Sequence, residues 1–138
     1  MFIFTGLFAD PAEGLPEQFS RLWPGLDIIR IDRPIVAIAA RFDPHLDDEA
    51  MDRAVPLVEA LSARHPAGRF LLLHTECFGG DCGYRGQILQ DGRTVLKADG
   101  DGAALRRLIG YWGIDLGPQA RFEPLRRDFP WRRETPPG

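Results

Sequence analysis

Serine, lysine and asparagine are almost missing from this 138-residue chain, which has two serines (Ser20 and Ser62), one lysine (Lys97) and no asparagine. Both serines fall in helix-patterned segments and neither sits in a G-x-S-x-G turn, which argues against a serine hydrolase. No G-x-x-x-x-G-K-[ST] loop is present, and the doublets at Gly79-Gly80 and Gly100-Asp101-Gly102 do not extend to G-x-G-x-x-G. Phosphate chemistry of the P-loop kind and a Rossmann cofactor site are thereby excluded at the motif level. No apolar run reaches the ~18 to 20 residues that span a bilayer. The opening MFIFTGLFADP lacks a basic flank and breaks at Asp10-Pro11, so it does not read as a secretory signal. Two cysteines are too few for a disulfide scaffold, and the expected compartment is the cytoplasm.

What is present fits a globular chain: 44% hydrophobic and 27% charged residues, with a formal charge of -3. A whole-chain basic footprint for nucleic acid is absent. Phe2 to Phe8 reads as a strand, and Pro16 to Trp23 as a short helix closed by Pro24-Gly25. Asp27 to Asp32 and Ile35 to Phe42 read as neighbouring strands joined at Arg33-Pro34. From Leu46 to His65, Met51, Ala54, Val55, Val58 and Leu61 share one helical face, with acids in the first turn. Pro56 should kink or restart that helix. Arg69 to Glu76 reads as a strand, followed by a glycine-rich break. A hairpin turning at Asp91-Gly92 joins Gln87–Gln90 to Thr94–Lys97, and Ala103 to Trp112 forms a second amphipathic helix stopped at Gly113. The expectation is one α+β domain over residues 1–138. Its mostly antiparallel sheet has about five strands packed by two main helices, and residues 118–138 form an extended C-terminal segment.

The densest chemical candidate is His74-Thr75-Glu76-Cys77-Phe78-Gly79-Gly80-Asp81-Cys82-Gly83. A metal site would draw on His74, Glu76, Cys77 and Cys82, but a lone C-x-x-x-x-C pair is a weak zinc pattern. Strand alternation also sets His74 and Glu76 on the face opposite Cys77. The same alternation keeps His74 from activating Cys77 as a nucleophile, and nothing in the sequence brings His45 or His65 to it. A redox Cys77–Cys82 pair lacks C-x-x-C spacing, and the ordinary expectation is two thiols without a chemical role. The reading therefore leans away from an enzyme and names no cofactor.

Charge is unevenly spread. Asp43, Asp47, Asp48, Glu49 and Asp52 put five carboxylates into ten residues. Such a run is commonly a solvated helix start, or else a negative patch that steers a basic partner. Residues 118–138 hold five Arg against three carboxylates, a balance of +2, and the first 117 residues hold 12 basic and 17 acidic residues, a balance of -5. Arg interleaved with Phe129 and Trp131 could stack on bases, but an aromatic-anchored tail with its arginines in water is the plainer reading.

Thr75-Glu76-Cys77-Phe78-Gly79-Gly80, then Gly83 and Asp91-Gly92, resembles a bacterial family of small uncharacterised proteins whose shared run is T-[ED]-[YF]-F-G-G-x-G-x-Q, then a strand, a D-G turn and a helix. The likeness covers roughly residues 70 to 130, including Ala104 to Ile114, and its specific part is F-G-G. Cys77 stands where that family has an aromatic, the loop is longer at Asp81-Cys82, and Arg85 or Gln87 stands for the glutamine. The resemblance implies a cytosolic immunity-type inhibitor of a polymorphic or secreted toxin, without catalysis. The partner would be a protein, most concretely a basic toxin domain, bound through Asp47, Asp48, Glu49, Asp52, Glu76, Phe78, Asp81, Tyr84 and Arg85. The competing readings are a small enzyme or metal protein built on the His74–Cys82 loop, and a homodimer pairing through an exposed sheet edge.

Overall fold

The computed structural model describes residues 1–131. Six antiparallel strands form one sheet: β1 (Phe2–Ala9), β2 (Asp27–Ile31), β3 (Ala37–Arg41), β4 (Phe70–Phe78), β5 (Asp81–Gln90) and β6 (Arg93–Gly100). Their spatial order is β2-β3-β1-β4-β5-β6, so β1 and β4 run through the middle. Both central strands are buried on both faces, which is why Phe70-Leu71-Leu72-Leu73 reads as an unbroken apolar run rather than an alternating one.

Two helices, α1 (Leu15–Leu22) and α2 (Asp48–Arg64), cover one face. There Leu15, Phe19, Met51, Ala54, Val58 and Leu61 pack against Leu7, Leu72 and Leu89. The other face carries α3 (Gly102–Gly110) and the C-terminal segment, which meet Phe4, Phe8, Leu71, Leu73 and Ile88. Strands β1 to β5 thus feed two cores through the period-2 alternation of their side chains, and β6 adds Leu96 and Ala98 to the second core alone. Trp131, 4% exposed, stacks near Phe4, Phe8 and Phe129 and anchors the C-terminal segment in the second core. Its ring is therefore spent on packing and is not offered to a base. Arg132, Arg133 and Glu134, counted in the Arg-rich tail, lie outside the described residues.

The α+β class stands, with six strands where about five were expected. The expected glycine-rich break after Glu76 is instead a hairpin. β4 continues to Phe78, Gly79 and Gly80 turn with φ of 57° and 91°, and β5 begins at Asp81. Two successive positive φ values define the primed turn whose twist suits a two-residue hairpin. Pro56 does not restart α2, which runs through it to Arg64. The proline ring lies on the solvent side of the helix, where the Asp52 carbonyl deprived of its partner faces outward.

Candidate functional site

α2 is capped by Asp47, whose carboxylate accepts from the Ala50 amide at 2.8 Å. The helix then runs over β5 and β6, but its first turns leave the open ends of β4, β5 and β6 uncovered. The result is a concavity of about 610 Å³ lined by Asp48, His74, Glu76, Phe78, Asp81, Cys82, Gly83, Tyr84, Arg85 and Asp99. A second concavity of about 340 Å³ continues it beneath α2, between Met51, Asp52, Val55, Gln87 and Lys97, with Arg85 and Asp99 bordering both. Strand alternation explains the lining: on β4 the side chains of His74, Glu76 and Phe78 share the α2 face, and on β5 those of Asp81, Gly83 and Arg85 do. Gly83 contributes no side chain to the floor.

Five carboxylates (Asp48, Asp52, Glu76, Asp81 and Asp99) therefore face two cations, Arg85 and Lys97, around one groove. Arg85 Nη2 bridges it to Asp48 Oδ1 at 2.8 Å, linking β5 to the first turn of α2. Phe78 stands at the mouth, 55% exposed. His74, 8% exposed, is the one buried polar side chain in the wall. Its Nδ1 lies 2.9 Å from Thr5 Oγ1, which accepts from the Leu46 amide at 3.0 Å, and its Nε2 lies 3.5 Å from Glu76 Oε1. The tautomer that satisfies both neighbours has the Thr5 hydroxyl donating to Nδ1 and the Nε2 proton directed at the Glu76 carboxylate. Thr5 is fully buried, so its hydroxyl orients the imidazole and is closed to substrate. His45 lies beside His74 with ring centroids 6.3 Å apart.

Of the residues read as partner-binding, Asp48, Glu76, Phe78, Asp81, Tyr84 and Arg85 meet at the larger concavity and Asp52 lines its continuation. Asp47 is spent on the α2 cap, and Glu49 points away toward Arg53, its i,i+4 partner at 3.7 Å. Tyr84 packs partly against the second core, and burial raises its phenol above the ordinary value. Asp99 and Lys97 were missed by the sequence reading. Counting rungs back from the Asp91-Gly92 turn would pair Arg85 with Ala98, but an irregularity between Ile88 and Leu89 shifts the ladder by one, so Arg85 pairs with Asp99.

The two cysteines correct the expectation of role-less thiols, because Cys77 and Cys82 are bonded to each other across the tip of the β4–β5 hairpin. Their side chains lie on the face opposite His74 and Glu76. The set His74, Glu76, Cys77 and Cys82 does not converge, and among the described residues no three His, Cys, Asp or Glu side chains are arranged to hold a metal ion. Cys77 is likewise not a free nucleophile in this state.

Set against known families, curated proteins and solved structures, the chain matches none of them. Among the described residues no helix is long and apolar enough to cross a membrane.

Proposed function

We propose that the chain is a non-catalytic, cytoplasmic protein-binding module of the immunity type, whose acidic groove receives a basic segment of a partner toxin. One observation carries this reading: residues from α2, β4, β5 and β6, far apart in sequence, place four carboxylates around the larger concavity and a fifth, Asp52, along its continuation, with an exposed aromatic at the mouth. Surplus negative charge in a concave, partly apolar wall focuses the field on an approaching cation and speeds encounter. An exposed Phe at the rim supplies the apolar anchor that long-range charge alone lacks. The groove holds no unbonded cysteine or serine, and its one buried histidine is held between Thr5 and Glu76, which favours binding over chemistry.

The test is complex formation between this chain and the purified product of the adjacent gene. A complex that weakens steeply with added salt supports the proposal. An adjacent gene encoding nothing toxin-like, together with no complex, sinks it.

A further inference from the structure

We propose that the Cys77–Cys82 bond is a reversible redox site, reduced by a protein dithiol of the thioredoxin class, and that its state sets the order of the turn carrying Phe78 and Asp81. Four observations lead there. The bond joins residues that the ladder already opposes, with every rung from Phe70↔Leu89 to Phe78↔Asp81 in register, so the hairpin does not depend on it. Their Cα atoms lie 4.0 Å apart, as on the non-hydrogen-bonded rungs where side chains approach nearest.

The bond also encloses only Phe78, Gly79, Gly80 and Asp81. A loop that short gains less from closure entropy than a long one, so the bond restrains the turn it encloses more than the fold as a whole. Next, the turn stands clear of the molecule, because a Cβ built on Gly79 or Gly80 would meet nothing within 4 Å. Two glycines with positive φ have the widest conformational freedom of any turn, and the sulfur bridge directly behind them restrains it. Last, both cysteines are only half-buried, at the exposed end of the hairpin where a thiolate can approach.

The chemistry balances without any further reagent. One thiolate of the dithiol attacks a sulfur of the bridge, forming a mixed disulfide and expelling the other cysteine as a thiolate, which takes a proton. The second thiol of the dithiol, after losing its proton, attacks the mixed disulfide and releases the remaining cysteine, which is protonated in turn. Two electrons and two protons reach the chain, and the dithiol leaves as a disulfide. A reducing cytoplasm supplies such dithiols and keeps most protein thiols reduced. The inference does not depend on what occupies the groove.

The experiment treats the folded chain with dithiothreitol, then with oxidised glutathione, counts thiols by maleimide mass labelling, and follows amide hydrogen exchange. The expected result is two thiols that appear and disappear reversibly at unchanged fold. Exchange at the Phe78 and Asp81 amides, which form the last rung before the turn, should rise about tenfold on reduction, the order of opening that a short closed loop suppresses. The doubly substituted Cys77→Ser, Cys82→Ser chain should reproduce the reduced pattern without any reductant. A bond reduced only after the chain unfolds, reoxidation that yields cross-linked dimers, or unchanged exchange at the turn in both the reduced and the substituted chain would each overturn the proposal.

Discussion

Asp10 ties three distant parts of the chain together. Its carboxylate accepts from Arg69 Nε at 2.7 Å, from Arg69 Nη2 at 2.9 Å, from the Arg69 amide at 2.8 Å and from Trp112 Nε1 at 3.1 Å. The Arg69 guanidinium also lies over the Trp112 ring. Burial alone would raise this carboxyl, but the Arg69 and Trp112 hydrogen bonds and the Arg69 charge outweigh it and hold the group below its ordinary value. Because the folded value lies below the unfolded one, ionised Asp10 favours the folded chain at all pH above the unfolded value near 4 and ceases to do so as pH falls through the folded value. Asp10→Asn should cost about 2 kcal/mol at neutral pH and flatten the loss of stability below about pH 4, as read from urea unfolding across pH. A second residue-scale expectation concerns Gly86. A Cβ there would sit 2.7 Å from Leu108 Cδ1 and 3.1 Å from the Leu72 carbonyl, so Gly86→Ala should lower stability by about 1–3 kcal/mol in thermal unfolding. Neither residue was legible as structural in the sequence. Asp10 finds its partners 59 and 102 positions away, and a glycine required by a helix packing behind it looks the same as a glycine in a loop.

At the scale of elements, patterns that depend on local chemistry were readable. The apolar face of α2, its acidic first turn and the Asp91-Gly92 hairpin all followed from spacing, and φ of 53° and 81° at that turn is the primed geometry its residues favour. What hid the first half of β5 was composition: Gly83 and Gly86 depress strand propensity there, where packing against α3 and the groove requires small residues. Pro56 does not restart α2, since the tertiary packing of Met51, Ala54, Val58 and Leu61 holds the helix through an unfavourable position. Pro56→Ala restores an amide that can donate to the Asp52 carbonyl and should raise the urea midpoint, with a gain of about 1–3 kcal/mol. Asp47→Ala removes the cap and should cost about 1 kcal/mol in the same assay. Unchanged midpoints would mean that α2 is held by its apolar face alone.

For the whole molecule, the two-sided core explains why the groove exists. A six-stranded sheet is wider than α1 and α2 together, so one face keeps an uncovered end at β4, β5 and β6, and that end is where the charge gathers. The sequence located six of the residues at the larger concavity through the acidic run before α2 and the motif around Phe78, but their convergence depended on strand register and on how α2 crosses the sheet. Among the described residues the outermost strands of the sheet are β2 and β6, and β6 carries Arg93, Lys97 and Asp99, a charge pattern that discourages edge-to-edge pairing along it. Light scattering should therefore report a monomer at micromolar concentration, and a dimer would revive the edge-pairing alternative. If the groove's carboxylates recruit a basic protein, removing their charge must slow the encounter. The most direct measurement is the association rate of the adjacent gene's toxin domain with the native chain and with the Asp48→Asn, Glu76→Gln, Asp81→Asn variant at low salt. The expected result is a complex whose formation slows about tenfold or more in the variant, whereas a complex that forms equally fast with both chains, or no complex at all, would rule out recruitment by these carboxylates.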